Sequence, residues 1–207
     1  FPMYGISKLP LIDFRPYKVG SNITELRKLP NDAKLDVYDD IWYYELDGKT
    51  VEYKTEENPW DIEGAKFVDR KTVLVQEGDE PKIKDFNIFS DLTKNDITDS
   101  VLSLDYVALV IIYDFDKSNS KGIEFVVNSI NELSNIGIPS LTLSSSNFLN
   151  DKILDKSKQI SEAYNVDQTT LKTMIRSNPG IILLKKGTVI SKFHWRDAPN
   201  NWDEYID

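Results

Sequence analysis

Apolar and polar residues follow a strand-like pattern in the first 80 residues of the chain. The segments Ile41–Leu46 and Lys49–Thr55 are rich in β-branched and aromatic residues, and they flank an Asp47-Gly48 pair that is a strong signal for a two-residue hairpin turn. Two further segments predict short strands: Ala65–Val68 and Lys71–Val75. Prolines interrupt any long element before the first strand. We therefore predict a β-rich N-terminal extension over residues 1–80.

After residue 80, apolar strands alternate with amphipathic helices. Val107–Tyr113 is a continuous apolar run, which is typical of a central strand buried on both faces. Residues 122–135 predict a helix because their apolar residues recur at helical spacing. The residues on this helical face are Ile123, Val126, Val127, Ile130 and Leu133. Asn135-Ile-Gly137 ends the helix, and Ile138–Leu143 predicts the next strand.

Four smaller elements complete this second region. Asp85–Phe89 and Ile97-Thr98 predict a small hairpin around a polar turn at residues 94–96. Residues 147–163 predict a second helix, and Asp167 can cap a short helix that ends at Arg176. The polar tail, which contains Trp202 and Tyr205, predicts a last helical turn.

The clearest hairpin lies near the end of the chain. Asn178-Pro179-Gly180 leads into the apolar strand Ile181–Leu184, and a Lys186-Gly187 turn connects it to Thr188–Phe193. Strand, helix, strand, helix and then an antiparallel hairpin predict an α/β fold with a mixed sheet that helices flank on both faces.

This order of elements resembles the thioredoxin fold. Pro81, the Asp85-Phe86 pair and Ile88, followed by a polar turn and the central strand, are similar to the opening of peroxiredoxins and periplasmic thioredoxin-like reductases. Pro179 stands where the thioredoxin fold keeps a cis-proline that faces its active site. The resemblance covers residues 81–207 and implies a thioredoxin-like domain there.

Two longer stretches, Leu11–Gly20 and Thr169–Gly180, resemble the soluble portion of DoxX-type bacterial membrane proteins that carry a thioredoxin-like domain after their helices. This resemblance implies that Phe1 follows a membrane segment absent from these residues. It also implies that the soluble part faces the periplasm at the bacterial inner membrane.

Composition limits the chemistry that the chain can perform. A formal charge of -9 and an isoelectric point near 4.7 argue against nucleic-acid binding, which needs clustered Lys and Arg. No apolar run approaches the roughly 18 residues of a membrane span. The chain has no cysteine, so it contains neither a CxxC pair nor a thiolate metal site.

The loop Asp114–Lys121 occupies the place where CxxC would open the first long helix. The nearest counterparts of the two cysteines are Lys117 or Ser118 and Ser120 or Lys121. One interpretation is a retained anion- or peptide-binding edge, and the other is an ordinary N-cap by Ser118 or Ser120. Asp114 and Asp116 could recruit a hard cation, although carboxylates at this spacing are usually solvated surface charges.

The second part of the candidate site comes from the proline turn. In thioredoxin-like proteins the residue before the cis-proline pairs its backbone with an extended peptide, so Asn178 and Pro179 are candidates to bind one without a thiol. The alternative is that this proline serves turn geometry alone. Tyr113, at the end of the central strand, completes the candidate set. His194, the only histidine, could act as a lone acid or base, but a partly exposed strand end is its expected setting.

These features support two main hypotheses. The first is a redox-inactive interaction module that binds a peptide segment or a partner protein, with no catalytic residue, metal or cofactor. The alternative is a non-thiol enzyme that uses Asp114, Asp116 and His194 around a metal; pure scaffolding for membrane assembly is a third possibility. Trp42, Tyr43 and Tyr44 form an aromatic cluster for which core packing is expected, and a carbohydrate or partner surface is the alternative.

Overall fold

The computed structural model describes residues 8–10, 12–145, 163–197, 199 and 201–206. The chain divides into two compact units, each described here by itself. The smaller unit comprises Leu29–Pro81, and the larger one comprises Phe1–Lys28 together with Lys82–Asp207.

The smaller unit is a three-stranded antiparallel sheet with the order β2-β1-β3. Its strands are β1 (Val37–Leu46), β2 (Lys49–Lys54) and β3 (Lys66–Gln76). The predicted hairpin joins β1 to β2, and Asp47 and Gly48 both have positive φ angles, 51° and 72°, as a two-residue turn requires. The two short strands predicted around residue 70 are one strand, because pairing with β1 continues through the polar residues between them.

An aromatic cluster covers one face of this sheet. The predicted alternation places Trp42 and Tyr44 on the same face, where both rings stand edge-on to Phe67 at 6.3 and 5.7 Å between centroids. Trp60 stands edge-on to Trp42 at 5.7 Å. Only Tyr44 in this group is buried, whereas Trp60 and Phe67 are more than half exposed. The rings of this aromatic cluster therefore stabilise the small sheet through their edge-on contacts with one another.

The larger unit contains a seven-stranded mixed sheet with the order β10-β9-β6-β7-β8-β4-β5. The strands are β4 (Phe89–Ser90), β5 (Asn95–Asp96), β6 (Val107–Ile112), β7 (Ser140–Ser144), β8 (Ala163–Asn165), β9 (Gly180–Lys185) and β10 (Thr188–His194). The helices are α1 (Ile23–Leu26), α2 (Thr98–Leu102), α3 (Ser120–Asn135) and α4 (Gln168–Met174). β6 pairs in parallel with β7 and antiparallel with β9, which in turn forms the C-terminal hairpin with β10. This is a thioredoxin-like arrangement, and the predicted mixed α/β fold class is confirmed.

β6 lies at the centre of the core, and all six of its residues are fully buried. Residues 107, 109 and 111 belong to one apolar cluster, and residues 108, 110 and 112 belong to another. Successive side chains of a strand point to opposite faces, so β6 supplies both layers of the core. This explains why its sequence is continuously apolar.

α3 covers one of these layers as predicted. Asn119 caps its first turn by accepting hydrogen bonds from the backbone N–H groups of Lys121 and Gly122. Beyond the helix, Gly137 adopts a positive φ of 79°, which is the expected left-handed stop. Val126 and Leu133 are fully buried at the second apolar cluster.

Ser129 offers a test of packing on this helix. It is 1% exposed, and its hydroxyl has no hydrogen-bond partner among the described residues. Burying an unpaired hydroxyl costs free energy, so Ser129→Ala should stabilise the protein by about 1 kcal/mol in urea denaturation. A lower stability of this variant would show that the hydroxyl is satisfied.

One smaller prediction, the position of the small hairpin, needs correction. The small hairpin is formed by β4 and β5, with Lys94 at a positive φ of 57°, and Ile97-Thr98 lies outside it. Thr98 instead begins α2, because Asp96 accepts hydrogen bonds from its N–H and its hydroxyl at 2.8 and 2.5 Å.

The helix predicted over residues 147–163 falls almost entirely outside the described residues. The last helical turn is a 3₁₀ turn, Asp203–Tyr205.

The first 28 residues belong to the larger unit, whereas the predicted division at residue 80 grouped them with the β-rich extension. Gly20 N–H donates to the carbonyl of Val189 at 2.7 Å, and Ile23 N–H donates to that of Gly187 at 2.8 Å. Tyr17 and Ile23 are buried in the core of the larger unit. Long-range hydrogen bonds to the C-terminal hairpin thus set this placement.

A buried charge cluster also fixes this segment. Asp13 accepts from Lys192 Nζ on β10 at 2.7 Å and from Arg15 at 2.7 and 2.9 Å. Burial alone would raise the pKa of Asp13, but these hydrogen bonds outweigh it and hold that pKa well below its usual value. The Lys192 side chain is 5% exposed, and its burial lowers its pKa despite the bond to Asp13.

No helix in the described part of the chain is long and apolar enough to cross a membrane.

Candidate functional site

The candidate site lies where β6 ends and β9 begins. Asn178-Pro179 is a cis peptide bond that directly precedes β9, and Tyr113 and Asp114 directly follow β6. The Asn178 side chain connects the two segments, because its Nδ2 donates to the carbonyl of Asp114 and its Oδ1 accepts from the Asp114 N–H at 3.4 Å. One amide side chain thus holds the loop after β6 against the proline turn.

The first turn of α3 packs directly on this proline. A Cβ atom built on Gly122 would lie 2.8 Å from Pro179 Cδ and 3.1 Å from two ring atoms of Trp195. The absence of a side chain at Gly122 therefore allows the close approach of the helix, the proline turn and the residue after β10. Pro179 lies beside the tip of the first long helix, as the predicted fold requires.

Local hydrogen bonds shape the loop Asp114–Lys121. Lys117 Nζ pairs with Asp114 Oδ2 at 2.8 Å, and this hydrogen bond lowers the pKa of Asp114. Ser118 Oγ donates to the Asp114 carbonyl at 2.8 Å, whereas Ser120 is the first residue of α3. The expectation that Ser118 or Ser120 caps the helix is wrong. The N-cap is Asn119, the residue between them, whose longer side chain accepts the capping hydrogen bonds.

Tyr113, the first residue after β6, also belongs to the candidate site. Its carbonyl accepts hydrogen bonds from Ser145 Oγ at 3.0 Å and from Gln168 Nε2 of α4 at 3.1 Å. Lys172 Nζ lies 5.8 Å from the centre of its ring. Burial and then the charge of Asp114 raise the pKa of the Tyr113 hydroxyl, so it is neutral at physiological pH. Sequence reasoning did not single out Gln168 or Lys172, because they lie more than 50 residues away along the chain.

His194 lies deeper than expected. It is 4% exposed at the end of β10, so its interpretation as a partly exposed residue is wrong. Its Nδ1 accepts from the backbone N–H of Arg196 at 3.1 Å, which makes the ring part of a tight turn. In the C-terminal hairpin, His194 pairs with Gly180 at the start of β9.

Ser177 and Trp195 also contribute to the site, and neither was identified from the sequence. Ser177 is 1% exposed; its Oγ donates to the Pro179 carbonyl and accepts from the Trp195 N–H at 3.4 Å. Adjacency to Pro179 and His194 was the only signal that could have identified these two residues.

The arrangement does not resemble a metal centre or a nucleophilic site. Among the described residues, no group of three or more His, Asp or Glu side chains could hold a metal ion. Within the loop, Ser118 Oγ donates to a backbone carbonyl and not to a base. The geometry does not gather Asp114, Asp116 and His194 into a ligand set.

The backbone N–H and C=O of Asn178 form one pair of polar groups next to Pro179. In the described part of the chain, neither the N–H nor the C=O of Asn178 forms a hydrogen bond with another residue, although its side chain forms two. Backbone groups without partners are strong hydrogen-bonding sites. The site can therefore bind the backbone of an extended segment.

Comparison with known proteins finds matches among solved structures only. No protein-family model and no curated protein matches the chain. Among solved structures, 32 chains match. A thiol:disulfide interchange protein from Bacteroides sp. is 16% identical over 52% of this chain and 75% of its own, with a TM-score of 0.39.

Two further neighbours have similar values. The thioredoxin domain of a thiol-disulfide oxidoreductase from Bacteroides vulgatus is 17% identical over 58% of this chain and 92% of its own, with a TM-score of 0.43. The mitochondrial 2-cys peroxiredoxin from Plasmodium falciparum is 14% identical over 53% and 77%, with a TM-score of 0.34. At these values the similarities carry no argument about this chain, whose fold class rests on its own strand order.

Proposed function

We propose that this chain is a redox-inactive thioredoxin-like interaction module that binds an extended segment of a partner protein across Asn178. The unpaired backbone N–H and C=O of Asn178 carry this proposal. They lie next to Pro179, and the side chain of the same residue fixes the loop after β6. An extended segment that pairs with these groups would gain main-chain hydrogen bonds, as in recognition by β-strand addition.

The absence of cysteine from the chain supports the redox-inactive part of the proposal. Disulfide exchange requires a thiolate that attacks a sulfur atom, and the residues at the start of α3 offer an amine, hydroxyls and an amide. None of these groups can form a mixed disulfide. The start of α3 can therefore contribute polar groups to a binding surface, but no redox-active sulfur.

We also propose that the module belongs to a DoxX-type membrane protein and faces the periplasm. The support is the resemblance of residues 11–20 and 169–180 to such proteins. Both stretches contain residues with structural roles in this chain. The first contains Asp13 and Arg15 of the buried charge cluster, and the second contains α4 from its second residue onward and the proline turn. Protease accessibility of the full-length protein in spheroplasts tests the topology, and cleavage only from the cytoplasmic side would overturn it.

Peptide titration of the protein by two-dimensional NMR tests the binding site. The probes are capped eight-residue peptides that alternate threonine with glutamate, glutamine or lysine. We expect the Asn178 amide to show the largest shift with at least one of them. If no peptide moves this signal at millimolar concentration, the proposed function fails.

Asn178→Ala should weaken peptide binding about tenfold, because the loop at Asp114 is no longer held in place and must be ordered on binding. Isothermal titration measures the affinity. Ser103→Ala is the control, since this exposed residue follows α2 and only donates to the Ser100 carbonyl. If Asn178→Ala and the unmodified protein bind the peptide with equal affinity, the peptide binds at another site.

A further inference from the structure

β3 forms one edge of the sheet in the smaller unit. The strand is 11 residues long and pairs with β1, and in the part of the chain that the structure describes no other strand pairs with it. All of its residues except Val73 are exposed. A long edge strand presents a row of unpaired N–H and C=O groups to which another extended segment can add.

Two local hydrogen bonds show which backbone groups of β3 face away from β1. Arg70 N–H donates to Asp69 Oδ1 at 2.8 Å, so it does not point towards β1. Asp40, which lies opposite Thr72 on β1, likewise donates its N–H to the side chain before it at 2.8 Å. Inward-facing and outward-facing residues alternate along a regular antiparallel strand. The N–H and C=O groups of Thr72 and Leu74 therefore face outward, as those of Arg70 do.

The two halves of β3 differ in how well they resist the addition of a strand. Four of the first six residues carry a charge, and the Asp69 side chain also covers the N–H of Arg70. Residues 72–76 contain no charge, proline or glycine, and Leu74 and Val75 are 45% and 62% exposed. Charged side chains protect an edge strand, whereas uncharged β-prone residues leave it accessible. Residues 72–76 therefore form the open edge of β3.

The surroundings of the open edge are acidic. Residues 36–40 at the start of β1 and residues 77–80 directly after β3 together contain six acidic and no basic side chains. Several of these carboxylates accept hydrogen bonds from backbone N–H groups, which stabilise the charged form. Of the two cations that precede the open edge, Arg70 already pairs with Asp40 at 3.3 Å. Residues 29–81 contain 15 acidic and 6 basic side chains, so the smaller unit carries this negative charge itself.

From these observations we propose that the open edge of β3 binds a basic extended segment of a partner protein by strand addition. The backbone groups of Thr72 and Leu74 supply main-chain hydrogen bonds, and the acidic side chains around them favour lysine or arginine in the added segment. A second copy of this chain is the less favourable occupant, because two copies of this acidic unit repel each other. This surface lies in the smaller unit and does not depend on the function proposed for Asn178.

The lysine, glutamine and glutamate peptides described above test the charge of the partner. In a two-dimensional NMR titration we expect the lysine peptide to shift the amide signals of Thr72 and Leu74. It should bind there about tenfold more tightly than the glutamine peptide, and the glutamate peptide should bind more weakly than both. Raising the salt concentration should weaken this preference. Equal affinity of the lysine and glutamine peptides at these signals overturns the basic partner.

Matched variants at one position test strand addition itself. Thr72→Pro removes an outward N–H, and an edge strand tolerates proline where the missing N–H faces solvent. Thr72→Val keeps this N–H and, like the proline variant, loses the hydroxyl bond to Asp40. We expect Thr72→Pro to bind the lysine peptide about tenfold more weakly, and Thr72→Val to bind it as the unmodified protein does. Equal affinities of the two variants overturn the role of the open edge.

Leu74→Pro repeats the test at the other outward N–H, and circular dichroism shows which variants fold. In the unmodified protein, peptide-induced shifts at Asn178 without shifts at Thr72 and Leu74 overturn this inference and leave the proposed function intact. Shifts at Thr72 and Leu74 alone support this inference and count against the proposed function. Sedimentation velocity of the protein alone tests the second copy. A dimer that Thr72→Pro abolishes would assign the open edge to another copy of this chain and overturn the basic partner.

Discussion

Asp13→Asn should lower the free energy of unfolding by about 3 kcal/mol, because it leaves the ammonium group of Lys192 buried without a negative partner. Lys192 is 5% exposed and Asp13 is 16% exposed, so water cannot replace the lost carboxylate. The larger unit would lose the contact that fastens its N-terminal segment to β10. Urea denaturation at pH 7, followed by circular dichroism, measures the change.

The pH dependence of this effect provides an independent check. Folding lowers the pKa of Asp13 from its usual value of 3.8, so its contribution is present above that pH and is lost as the pH falls through the folded-state pKa. The stability difference between the unmodified protein and Asp13→Asn should therefore shrink on acidification. Glu25→Gln, which removes a pair with Lys28 that is more than 60% exposed on both sides, should cost less than about 1 kcal/mol. A pH-independent difference would contradict the account of Asp13.

Gly122→Ala should destabilise the protein by about 1 to 3 kcal/mol and weaken peptide binding, because the new methyl group overlaps Pro179 and Trp195. The sign is diagnostic. In a helix without this contact, replacing glycine by alanine stabilises by about 0.5 to 1 kcal/mol. A stabilised variant would therefore show that α3 does not press on the proline turn.

Ser129→Ala serves as the control on the same helix, because it removes atoms from the buried face of α3 without adding any. Comparing peptide affinity in the two variants separates loss of stability from loss of the site. We expect Gly122→Ala to bind the peptide that shifts the Asn178 amide more weakly at a temperature where both variants are fully folded. Equal affinities would mean that the position of Trp195 does not matter for binding.

The fold was predictable because each of its main elements is encoded locally. β6 is apolar at every position because it is buried on both faces, and α3 carries its apolar residues at helical spacing. The turns at Asp47-Gly48 and Lys186-Gly187 have positive φ angles at both residues, which their sequences suit. In these elements local preference and tertiary structure agree.

The elements that were misplaced are those whose local preference is weak. The small hairpin differs from its predicted position by several residues because Asp96, at the end of β5, accepts hydrogen bonds from the N–H and hydroxyl of Thr98, which starts α2. β3 runs through Asp69 and Arg70 because β1 provides hydrogen-bond partners along its length. Residues 1–28 join the larger unit through hydrogen bonds to residues more than 160 positions away.

The candidate site was identified in outline, since Pro179 and the loop after β6 follow from the order of elements. The other residues of the site were not identified, because Gln168 and Lys172 of α4, Ser177 and Trp195 belong to three places that only the folded sheet brings together. Nothing in the sequence near His194 indicates that this residue is buried.

By itself, the sequence determined the strand and helix pattern, the mixed α/β class and the lack of thiol chemistry, because these depend on residue types and on spacing along the chain. Only the tertiary structure decided that Asp13 and Lys192 form a buried charge pair and that Gly122, Pro179 and Trp195 pack against one another. These features depend on distances between residues far apart in the chain, and such distances are set only when the sheet around β6 has formed.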